Sequence, residues 1–115
     1  MNRHANLAER LRASILQGHG ETPPELRRAG AARAAELAGN PAASPAPGIP
    51  ENLRDYVDAV SLRAHRITDE DVQALRRAGY SEDAVFEISL SVAVGAGLAR
   101  LERGLAALRK EGGER

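Results

Sequence analysis

Few side chains in this sequence have both the type and the placement to do chemistry. None of the 115 residues is cysteine, which excludes disulfides, thiol catalysis and thiolate metal sites together. The three histidines, His4, His19 and His65, share no helical spacing, so neither a zinc or iron site within one chain nor a cofactor is expected. His65 falls near the end of a helix, where a partly cationic imidazole is favoured by the dipole; a general acid or base is its alternative role. Ser89 and Ser91 have no histidine nearby in sequence, and there is no Gly-rich phosphate loop. Glu87 is the most distinctive candidate. It projects onto an apolar helical face beside Val94 and Leu98, where desolvation would raise a carboxyl pKa and make a proton carrier. The competing role is structural: the carboxylate reaches water or pairs with an arginine near the helix N-terminus.

Composition narrows the partners. Sixteen basic and sixteen acidic residues cancel, so no net field draws the chain to nucleic acid or an anionic membrane. The segment "DVQALRRAGYSEDAV" has the shape of a helix-turn-helix. However, Glu82, Asp83 and Glu87 occupy the positions that would meet phosphates and base edges, and nucleic-acid binding is not expected. The longest uncharged run, 88–99, is shorter than the roughly 20 apolar residues of a membrane span. The N-terminus lacks an unbroken apolar segment of the secretory kind. The default expectation is a cytoplasmic protein with no membrane partner.

The elements that would position these residues are all helical. Leu7, Leu11 and Ile15 mark a first amphipathic helix ended by Gly18 and Gly20. "TPPE" announces a second, with Thr22 as a cap and Pro23 at the first helical position; it runs through an Ala-rich body to Leu37. "GNPAASPAPGIP" is a Pro-rich linker. Residues 1–38 thus form a helical arm, 39–50 a linker, 51–110 a helical body and 111–115 a disordered tail. Within the body, Leu53, Tyr56, Val57, Val60 and Ala64 follow a helical spacing and mark a buried stripe. Thr68 caps a helix whose first turn is acidic, Gly79 supplies a left-handed stop, and Ser81 caps the next helix. Ile67 with Val72, and Tyr80 with Val85, make hydrophobic staples.

The last helix, from about Glu82 to Arg109, is apolar on two sides. Phe86, Leu90, Val94, Leu98, Leu101, Leu105 and Leu108 line one face over its whole length, and Val85, Ile88 and Val92 line the opposite one. A body of about 60 residues buries too little surface to leave the second face wet. Either the N-terminal arm folds over it, as in a monomeric helical bundle, or a second subunit does. The expectation is another copy of the chain, with Val85, Ile88, Val92, Ala96 and Ala99 as the interface of a homo-oligomer and the arm as an auxiliary contact.

From Leu53 to Leu108 the sequence, in "TDEDVQALRRAGYSEDAVFEI" and "SVAVGAGLARLERGLAAL", resembles the C-terminal part of the alkylhydroperoxidase D-like (AhpD-like), or carboxymuconolactone decarboxylase, superfamily. The resemblance implies a small all-α helical bundle that oligomerises through its helices. The superfamily's peroxidases use a Cys-x-x-Cys pair that this chain lacks, so thiol peroxidase activity is excluded. Two readings remain open. One is a non-catalytic protein that self-associates or binds a related helical protein. The other is a decarboxylase-like lyase or other cysteine-independent enzyme, with Glu87 and His65 handling protons on a small carboxylate.

Overall fold

The computed structural model describes residues 3–40 and 48–113. Five α-helices and one 3-10 turn follow in order: α1 (Arg3–Gln17), α2 (Pro24–Gly39), α3 (Glu51–Arg63), the turn Ala64–Arg66, α4 (Asp69–Arg77) and α5 (Glu82–Gly113). No strand occurs among the described residues, and the all-α expectation holds.

Local chemistry sets several boundaries where the residue types demand them. The Thr68 hydroxyl accepts from the Asp71 N–H while the Asp71 carboxylate accepts from the Thr68 N–H, a reciprocal capping box that starts α4. Gly79 turns the chain at φ +105, a region that costs glycine nothing. Ser81 then accepts from the Ala84 N–H at 3.0 Å and caps α5. At α2 the expectation is only partly met. Pro23 takes the cap position and Pro24 the first turn, while Thr22 caps nothing on α2 and is used elsewhere.

The core lies where α2, α3 and the first half of α5 meet. Ala34 of α2, Leu53 and Val57 of α3, and Val85, Ile88, Val92 and Ala96 of α5 form one buried cluster, with Leu75 of α4 joining it. This corrects the expected interface. Val85, Ile88, Val92 and Ala96 are at most 4% exposed within a single chain, and Ala99 is half-buried. The chain's own helices, not a second copy, cover that face. The physical reason is the Ala- and Gly-rich composition of α2, which permits a very close approach. A Cβ at Gly95 would overlap the Ala31 carbonyl and lie 2.7 Å from its Cα, and one at Gly30 would stand 3.3 Å from Val92. Residues 1–38 are therefore no peripheral arm, since α2 makes the largest helix–helix interface of the fold, with α5.

The other face of α5 has the opposite fate. Phe86 and Leu108 are each 65% exposed, and Leu90 and Leu101 are exposed as well. Two arginines of α5 serve as helix terminators: Arg100 donates to the Ser61 carbonyl of α3 at 2.9 Å, and Arg103 to the Ala38 carbonyl of α2 at 2.7 Å. Arg33 is buried on α2 and holds α3 through a two-pronged contact with Asp58, Nε–Oδ1 3.0 Å and Nη2–Oδ2 3.1 Å, plus Glu36 at 3.1 Å. Beyond about residue 100, α5 projects from the body, and most of its side chains are exposed. The radius of gyration is 15.3 Å, against about 13 Å for a compact domain of this length. Most of the expected linker, residues 41–47, lies outside the described residues; Ile49 just after it is buried. The expected tail is helical as far as Gly113.

Candidate functional site

Glu87 is placed by the first turns of α5 against the elbow that joins α1 to α2. Its carboxylate accepts three hydrogen bonds: from the Glu21 N–H at 2.7 Å, the Thr22 N–H at 2.9 Å and the Thr22 hydroxyl at 2.7 Å. A Cβ on Gly20 would fall 2.5 Å from a carboxylate oxygen. Glycine is thus needed there because the oxygens rest against the backbone. Arg27 completes the elbow from α2. It is buried and donates to the Ile15 carbonyl at 2.9 Å and to the Gly18 carbonyl. These are orphan acceptors at the C-terminal end of α1, where a cation is favoured.

These contacts decide the protonation state. Burial pushes the Glu87 carboxyl upward, but the Glu21 N–H, the Thr22 hydroxyl and N–H, and the nearby Arg27 charge together outweigh it, so the pKa lies below the usual glutamate range. Two roles were open to Glu87 from its place on α5: a proton carrier raised by desolvation, or a structural carboxylate paired near the helix N-terminus. These contacts favour the second, because the α1–α2 elbow brings donors and Arg27 brings a cation. A carboxylate held ionised and with its oxygens occupied is a clamp, and it is ill suited to deliver a proton.

The histidines do not join it in the expected way. His65 sits exposed in the 3-10 turn after α3. It lines none of the clefts that Glu87 lines; the small cleft beside Glu87 is formed with Ser14, Ile15, His19, Arg27 and Leu90. His19 is therefore the histidine nearest the carboxylate's surroundings, which linear spacing gave no way to anticipate. The side chain of His4 lies outside the described residues. Among the described residues no cluster of three or more His, Cys, Asp or Glu could hold a metal ion. Tyr56 and Ser89 meet at 2.6 Å in the core; Ser89 also donates to the Val85 carbonyl, so its one proton is committed and Tyr56 is the donor to it.

A groove of about 450 Å³ lies between α1, α2 and α5, walled by Ala8, Ala31, Ala35, Leu98 and Leu105 with Arg12, Glu102 and Arg109 along it. It gathers no set of polar groups around a reacting position. What the surface offers instead is apolar: Leu7 and Leu11 of α1, and Phe86, Leu90, Leu101 and Leu108 of α5, are all exposed. By length and composition α5 is also apolar enough to cross a membrane: an 18-residue stretch within Glu82–Lys110 has a mean hydropathy of 1.6, and 39% of that stretch is buried in the fold. The core face accounts for part of that hydropathy, since a core helix passes the same test. No protein family, no curated protein and no solved structure matches the chain.

Proposed function

We propose that this chain is a non-catalytic helical protein that works by associating with other helical proteins, itself included, in the manner implied by its resemblance to the AhpD-like superfamily. One observation carries the reading: Glu87, the carboxylate whose place on an apolar helical face suited it to proton transfer, is spent on holding the α1–α2 elbow, while six large apolar side chains remain exposed among the described residues. Exposed Leu and Phe scattered singly are ordinary, but four along one helix form a patch of the kind that marks an interaction surface. The residual-enzyme reading loses its pairing, because His65 and Glu87 do not share a cleft.

Sedimentation velocity over a wide concentration range tests this. The expected mass rises above the 12.2 kDa of one chain. A Phe86→Glu, Leu101→Glu double variant returns it to monomer with unchanged helix content, because both side chains stand clear of the core. A wild-type chain that sediments as a monomer at every concentration, and behaves identically to the double variant, would overturn the reading.

A further inference from the structure

Two of the glycines inside α5 have no internal explanation. Gly95 is required by the backbone of α2, whereas a Cβ on Gly97 or Gly104 would meet nothing within 4 Å. Glycine in the middle of an exposed helix weakens it, so two such positions call for a neighbour the single chain does not supply. At 100° per residue, Phe86, Leu90, Ala93, Gly97, Leu101, Gly104 and Leu108 fall within an arc of about 80° that runs for about 33 Å along the helix. No charged residue interrupts that arc.

The order of sizes along this stripe reads the same way from either end once large is matched with small. Reversed about Gly97, Leu90 falls opposite Gly104 and Leu101 opposite Ala93, with glycine against glycine at the centre. Phe86 and Leu108 meet at the two ends, where the helices diverge.

We infer that the exposed face of α5 docks against the same face of a second copy, antiparallel, with Gly97 at the two-fold axis. The occupant is another copy because an isologous contact needs a self-complementary patch, which this stripe is. Gly97 and Gly104 let the two backbones approach, and the leucines of one helix fill the space above the glycine and alanine of the other. The inference rests on the association reading above and adds the partner, the orientation and the register.

The cysteine-free chain makes the register directly testable. Under oxidising conditions Gly97→Cys is expected to give a disulfide-linked dimer. Ala93→Cys is not, because the antiparallel register separates its two copies by about 12 Å of helix rise, beyond the roughly 7 Å between Cα atoms that a disulfide spans. In light scattering the wild-type dimer has twice the 12.2 kDa chain mass. Gly97→Leu weakens dimerisation by roughly 100-fold or more, since a bulky side chain at the axis meets its own copy, while the monomer's helix content is kept. If the chain dimerises but Ala93→Cys links as readily as Gly97→Cys, the register is wrong and the association reading stands. A chain that stays monomeric overturns both, whether or not it co-sediments with phosphatidylcholine vesicles.

Discussion

Glu87 and Arg33 show how a single charged side chain can be decided by what lies across from it. The Glu87 carboxyl is held below its usual range, so its folded-state pKa is lower than its unfolded one. The stability this contributes is complete above the usual glutamate range and is lost as the pH falls through the lower, folded value. Glu87→Gln should therefore cost about 1–3 kcal/mol at pH 7, the worth of hydrogen bonds to a charged group. The difference should shrink toward zero in acid, which urea unfolding at pH 7 and at strongly acid pH would measure. A difference that is the same at both values would mean the charge plays no part. The buried Arg33 has the reverse asymmetry. Its guanidinium is pushed up from its ordinary value by the hydrogen bonds it donates to Asp58, against burial, with the Asp58 charge and the Glu36 hydrogen bond and charge adding. Asp58→Ala removes the two-pronged partner of a buried guanidinium and should cost about 3 kcal/mol. Glu36→Ala should cost under about 1 kcal/mol, and equal losses in chemical denaturation would refute the ranking. The candidacy of Glu87 was legible in its place on α5, but its role was not. Its donors come from Glu21 and Thr22, 66 and 65 residues away in sequence.

The helices themselves divide into those announced by local signals and those assigned by packing. Thr68 with Asp71, Gly79 and Ser81 act within a few residues of one another, so the boundaries of α4 and α5 could be read directly. Which face of α5 is covered could not. Both faces are apolar, and the deciding feature is the backbone contact at Gly95, visible only when α2 lies beside it. The two glycines, two residues apart, should respond oppositely. Gly95→Ala forces a Cβ into Ala31 and should destabilise by about 1–3 kcal/mol or more. Gly97→Ala enters open space and should stabilise the monomeric helix by about 1 kcal/mol. Thermal unfolding of the pair at low protein concentration reads both signs, and matching signs would contradict the assigned packing. The Ala-rich α2 packs closely because alanine and glycine keep it thin.

At the scale of the whole molecule, the tightly packed part is α2, α3 and the first half of α5, with α1 and the end of α5 laid on or extending from it. Amide exchange should follow that division. Protection should be greatest around Leu53, Val57 and Val92, where burial is complete, and least in the first turns of α1 and beyond about residue 100 of α5. Uniform protection over all five helices would show that the projecting end of α5 is held as firmly as the core. In an antiparallel dimer the protection of α5 extends toward Leu108 as concentration rises. The sequence by itself determined the helical class and the caps and turns of the C-terminal half, because these follow from residue types within a turn or two of each other. Only the tertiary structure decided which side meets the chain's own core, that Glu87 is a clamp, and that arginines close the ends of neighbouring helices. Those outcomes depend on groups dozens of residues apart, whose juxtaposition no local spacing records.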